Sequence, residues 1–143
     1  MGPTDAAVQQ LLERLSGGVL GTGATVVTLS GELGAGKTTF AQKLARELGV
    51  EEHVTSPTFV LEKIYRLNGR QFERLVHIDA YRLESSRELE VLGFKELLDD
   101  PKNLILLEWP ERVPELVPKD AISIRFDITG EERTISINGG KKD

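Results

Sequence analysis

Residues 31–38 read Gly-Glu-Leu-Gly-Ala-Gly-Lys-Thr, the spacing G-x-x-x-x-G-K-[ST], between a β-branched run and an amphipathic helical run. That placement constrains the chain more than any other feature, because the string works only as a tight turn from a buried strand into a helix. Glycines let successive backbone N–H groups turn inward around an anion without Cβ clashes. The helix that follows offers its positive dipole end and unpaired N–H groups to phosphate. Lys37 supplies a mobile positive charge for terminal phosphates, and the Thr38 hydroxyl suits magnesium. The string therefore predicts a nucleotide site. Lys37 is expected to lie exposed when that site holds no nucleotide.

The flanking pattern supplies the required context. Thr25–Ser30 is a short β-branched run bounded by Gly23 and Gly31, which predicts a buried strand. Phe40, Ala41, Leu44, Ala45 and Leu48 mark one face of a helix that stops at Gly49. Upstream, Val8, Leu11, Leu12 and Leu15 predict a helix that starts near Pro3-Thr4 and ends at Gly17-Gly18. Downstream, Phe59–Leu67 and Gln71–Asp79 flank Asn68-Gly69-Arg70, a hairpin signal. Ser85 and Glu88 suggest a capping box, ahead of a helix with Leu89, Leu92 and Leu97 on its inner face. Leu104–Leu107 is continuously apolar, as a central parallel strand covered on both faces would be. Alternation at Ile122, Ile124, Phe126 and Ile128, then Ile135 and Ile137, predicts a C-terminal hairpin turning at Thr129–Glu132. Residues Gly139–Asp143 are expected to fray. The prediction is one α/β domain over residues 1–143.

Composition narrows the chemistry. With 143 residues, 39% hydrophobic and 29% charged, the chain suits a globular domain and not a disordered one. Eighteen basic against 23 acidic residues give a net charge of −5, which does not favour direct nucleic-acid binding. The absence of cysteine excludes disulfides, iron–sulfur ligation and a thiol nucleophile. No apolar run reaches the ~18 residues of a membrane span, and no secretion signal is evident, so a cytoplasmic location is expected.

A phosphate loop needs acids at the ends of neighbouring parallel strands to position magnesium. Asp79 ends the run Leu75–Ile78, and Glu108 ends Leu104–Leu107; spacing leaves open which of them meets the metal directly. Thr55-Ser56-Pro57-Thr58 carries three hydroxyls after the phosphate-loop helix, where γ-phosphate or magnesium sensors lie. His77 shares a strand face with Asp79, as a packed core histidine or one that orients a water. Asp127-Ile128-Thr129-Gly130 matches a GTPase switch string but falls at a hairpin turn, and ordinary turn chemistry explains it.

Five strings now occur in order: GELGAGKTT at 31–39, TSPTF at 55–59, HIDAYRL at 77–83, ELEVLG at 88–93 and LLEWP at 106–110. Together they resemble the TsaE (YjeE) family, the small ATPase of bacterial tRNA threonylcarbamoyladenosine synthesis. The resemblance runs from the N-terminal helix to the C-terminal hairpin. It implies a P-loop NTPase-like three-layer fold with a mostly parallel central sheet and added antiparallel hairpins. It also implies ATP/ADP and Mg2+ as cofactors, slow intrinsic hydrolysis, and action on the TsaD–TsaB complex. Contact with tRNA would come indirectly through that complex, with no membrane or DNA partner. Residue by residue, it implies that Glu32, Leu33, Gly34, Ala35, Gly36, Lys37, Thr38, Thr39 and Trp109 surround the nucleotide. Thr38, Glu108 and Asp79 would serve the metal, and Asp79, Lys37 and Thr58 the catalysis. Related chains often place a hydroxyl residue near adenine in the first helix, where this chain has Val8, with Thr4 upstream. A small phosphotransferase is the alternative, with Arg66, Arg70, Arg74 and Arg82 as possible clamps on an anionic acceptor.

Overall fold

The apolar, β-branched runs are the residues that a sheet covered on both faces requires, and they form its centre. The computed structural model describes residues 2–16, 22–32, 36–50, 62–67 and 71–139. In chain order the elements are α1 (Pro3–Ser16), β1 (Thr25–Gly31), α2 (Lys37–Glu47), β2 (Glu62–Arg66), β3 (Arg74–Asp79), α3 (Ser86–Val91), α4 (Phe94–Leu98), β4 (Asn103–Glu108), β5 (Ile122–Thr129) and β6 (Glu132–Gly139). Short 3-10 turns at Pro110–Arg112 and Pro114–Leu116 follow β4.

All six strands join one sheet in the order β2-β3-β4-β1-β5-β6. Neighbours β3 and β4, β4 and β1, and β1 and β5 run parallel, while β2 and β6 pair antiparallel at the two edges. Alternation sorts the side chains onto two faces. Val27, Leu29, Leu75, Leu104 and Leu106 pack with Val8, Leu11 and Leu15 of α1 and Phe40 and Leu44 of α2. Val26, Val76, Ile78, Ile105 and Leu107 pack on the other face with Leu89 of α3 and Phe94 of α4. The layering is helix, sheet, helix, as the resemblance implies.

Several expectations need correction. Of the predicted hairpin strands, β2 ends at Arg66 and β3 begins at Arg74, not Gln71, while residues 59–61, the connection at 68–70 and Gly17-Gly18 lie outside the described residues. Ser85 does precede α3, but its side chain makes no capping hydrogen bond; Glu88 Oε2 instead accepts the Glu84 N–H at 3.4 Å. The single helix expected there is two, broken at Gly93, whose φ of 90° favours glycine. The break turns Leu92 outward, leaving it 46% exposed instead of on an inner face. Gly139 is not frayed: it pairs with Ile122, and its carbonyl accepts a 2.7 Å hydrogen bond from Arg14.

Candidate nucleotide site

The chain order doubles back around β1, with β4 on one side and β5 on the other. In open α/β sheets such a reversal opens a crevice beyond the carboxyl ends of the strands. Every described polar group of the site gathers there. Gly31 ends β1 opposite Phe126, and a Cβ at Gly31 would lie 2.5 Å from the Phe126 carbonyl oxygen. Only glycine lets β1 and β5 stay paired up to the start of the loop. Gly36 caps α2 in a left-handed conformation, and Lys37 is the first helical residue. Phe40, one turn on, meets Phe126 edge to face at 5.6 Å and fixes the start of α2 against β5.

Lys37 departs from expectation, being buried with only 5% exposed. Its Nζ donates to the Gly31 carbonyl at 2.7 Å and lies 3.9 Å from the centroid of the Trp109 ring. The lysine is buried because an aromatic residue far along the chain folds over it, which no local pattern reports. Burial pulls the Lys37 ammonium below its ordinary pKa, against the opposing charges of Glu108, Asp79 and Glu111.

Asp79 and Glu108 are register partners on parallel β3 and β4, so their backbones lie roughly 4.8 Å apart. Both are buried, at 7% and 3% exposure, on the face that carries α2. Asp79 Oδ1 accepts the Tyr81 N–H at 2.9 Å. Burial raises the Asp79 pKa and the nearby Glu108 charge adds to the rise, while the Tyr81 hydrogen bond opposes it. Glu108 Oε2 lies 2.6 Å from His77 Nε2. Immediately after Glu108, Trp109 takes a left-handed backbone, φ 59°, and its ring meets Tyr81 at 4.9 Å. That conformation is uncommon for a bulky residue, and functional sites are where such strain concentrates.

Comparison with known proteins agrees with this layout. The family model described as "Threonylcarbamoyl adenosine biosynthesis protein TsaE" matches residues 3–135. The chain belongs to the TsaE family. The tRNA threonylcarbamoyladenosine biosynthesis protein TsaE of Borreliella burgdorferi is 39% identical over 115 residues, covering 80% of this chain and 81% of that one. The Streptomyces coelicolor protein of the same name is 40% identical over 120 residues, covering 80% and 79%. A crystal structure of Bacillus subtilis YdiB superposes with a TM-score of 0.67 at 27% identity, covering 99% of this chain and 82% of that one. The TsaE family places the chain in the biosynthesis of threonylcarbamoyladenosine in tRNA.

Among the residues that the TsaE resemblance marks, Gly36, Lys37, Thr38, Asp79, Glu108 and Trp109 come together at this end of the sheet. Thr38 is half-buried; Glu32 and Thr39 are exposed. Leu33, Gly34, Ala35 and the whole Thr55–Thr58 loop, Thr58 included, lie outside the described residues. Val8 packs in the core at 2% exposure. No cluster of three or more His, Cys, Asp or Glu able to hold a metal occurs among the described residues. Magnesium ordinarily takes one or two carboxylates and shares the phosphates, so the hydroxyl and two carboxylates of this TsaE site fit it. Tyr81, which supports both Asp79 and Trp109, was missed by sequence reasoning. Its one signal was a position two residues beyond Asp79.

Proposed function

We propose that this chain is a magnesium-dependent ATPase with slow intrinsic turnover, acting as one cytoplasmic P-loop domain on the TsaD–TsaB complex and reaching tRNA through it. One observation carries the reading: the lysine at the start of α2 faces two buried carboxylates on adjacent strand ends. In such a site Gly36 and the following helix start offer N–H groups to phosphate, and Lys37 leaves the Gly31 carbonyl to neutralise charge. Thr38 and Glu108 would hold magnesium, which would supply positive charge to offset that of the phosphates. Asp79 carries the remaining role, accepting a proton from the attacking water, and its raised pKa suits a group that exchanges protons. Trp109 lies over the Lys37 ammonium, with Tyr81 packed against its ring.

Of the four arginines that the phosphotransferase alternative offers, Arg82 follows Asp79 by three residues and Arg70 lies outside the described residues. Arg66 and Arg74 are register partners at the other end of β2 and β3, away from Asp79 and Glu108. Arg74 is engaged there with Asn103 and Asp100.

The test is ATP hydrolysis and calorimetry on Lys37→Ala and Glu108→Ala. Lys37→Ala is expected to lose productive ATP binding while remaining folded. Glu108→Ala is expected to lose magnesium-dependent hydrolysis far more than magnesium-free ADP binding. Equal losses in both assays would make Glu108 a structural residue, and normal turnover by Lys37→Ala would end the ATPase reading.

A further inference from the structure

His77 is a buried titratable group that the proposed chemistry leaves unused. It sits on β3 opposite Leu106, two residues before Asp79, and is 1% exposed. Its Nε2 lies 2.6 Å from Glu108 Oε2, whereas Nδ1 is buried with no hydrogen-bond partner among the described residues. These two facts select one arrangement of protons. A proton on Nδ1 would be a buried donor with no described acceptor to meet it. A proton on Nε2 alone points directly at a carboxylate oxygen, and only a lone pair is left bare on Nδ1.

We propose that His77 is a positioning residue for Glu108: its Nε2–H pins Oε2 and leaves Oε1 to face the cation. A glutamate side chain has several rotamers, and the strand end alone would not choose among them. The imidazole, packed at 1% exposure in the sheet face beneath, is rigid enough to choose. Hydrogen-bond partners of this outer kind typically set metal affinity by 10–100-fold. The proposal rests on the reading of Glu108 as a magnesium residue.

The experiment has two readouts. Nitrogen-15 spectra of the imidazole, in the nucleotide-free protein, are expected to show a protonated Nε2 and a bare Nδ1; the opposite tautomer overturns the proposal. Magnesium-dependent ATP affinity is then compared with magnesium-free ADP affinity. His77→Leu keeps the apolar bulk without the donor and is expected to lose about 10–100-fold in the first and nothing in the second. His77→Gln, whose amide nitrogen reaches the Nε2 position, is expected to recover most of the loss. If the leucine variant does not fold, His77→Asn, which reaches only the Nδ1 position, replaces it; equal magnesium dependence in the Gln and Asn variants overturns the proposal. A folded leucine variant that behaves like the unsubstituted protein overturns it too. Loss of magnesium dependence in the unsubstituted protein instead defeats the metal reading of Glu108, and the proposal falls with it.

Discussion

Asp79 bears a conflict between stability and use. Its carboxyl group is buried beside Glu108, and the proton is held more tightly in the folded chain than in the unfolded one. Its linkage follows from that sign. The native state gains from protonated Asp79 at low pH, and that gain is lost as pH rises from the ordinary value of 3.8 through the raised native one. Asp79→Asn removes the titration. It is expected to raise the urea midpoint of the nucleotide-free protein at pH 7, by an amount that shrinks as pH falls, while hydrolysis drops by about 10²–10⁴-fold. A destabilised variant would make the Tyr81 hydrogen bond the dominant role of Asp79. Trp109 supplies a second residue-scale expectation, because the Lys37 ammonium sits 3.9 Å from its ring centroid. Phosphate that draws the lysine away changes the field at the chain's single tryptophan, so ADP with magnesium should alter its fluorescence. A silent titration with binding confirmed by calorimetry would show that Lys37 stays where it is.

Whole elements were more legible than the contacts between them. The 3.6-residue rhythm of α1 and α2 and the alternation in β5 are local, so Val8, Leu11, Phe40, Leu44, Ile122 and Ile124 are buried as the pattern requires. The continuous run at Leu104–Leu107 announced its central place for the same reason. The stretch after Ser85 was less legible: a glycine in the left-handed region resets the helical phase, and a pattern that spans it assigns Leu92 to the wrong side. The capping signal there has a measurable counterpart. Ser85 makes no side-chain cap, so Ser85→Ala should shift stability by less than about 0.5 kcal/mol. A loss near the ~1 kcal/mol of a working cap, read from chemical denaturation, would contradict the geometry. The site itself was half legible. Its phosphate string and strand-end acids are sequence-local, while the cover over Lys37 and the His77–Glu108 contact exist only once distant strands pair.

At the scale of the molecule, the parallel centre of the sheet puts Asp79 and Glu108 on different strands from the phosphate loop, so any partner that shifts one strand end alters the whole site. The proposed regulation by a TsaD–TsaB complex would act through that geometry. ATP is expected to tighten partner affinity, and the partner must then tighten ATP affinity by the same factor, with turnover rising in the complex. Calorimetry of both steps checks the equality; unchanged affinities and unchanged turnover would refute the coupling. The same topology imposes a timetable on synthesis. The phosphate loop leaves the ribosome before β4 and β5, yet β1 gains its neighbours only when Leu104 reaches Thr25 and Ile122 reaches Val27. Until those late strands emerge, the nascent chain carries a nucleotide motif without Glu108, and Asp79 has no β4 to hold it in register. On the proposed reading, a copy made only as far as β3 cannot hold magnesium–ATP between lysine and both carboxylates, and the ability to compete for cellular ATP follows the emergence of β4 and β5.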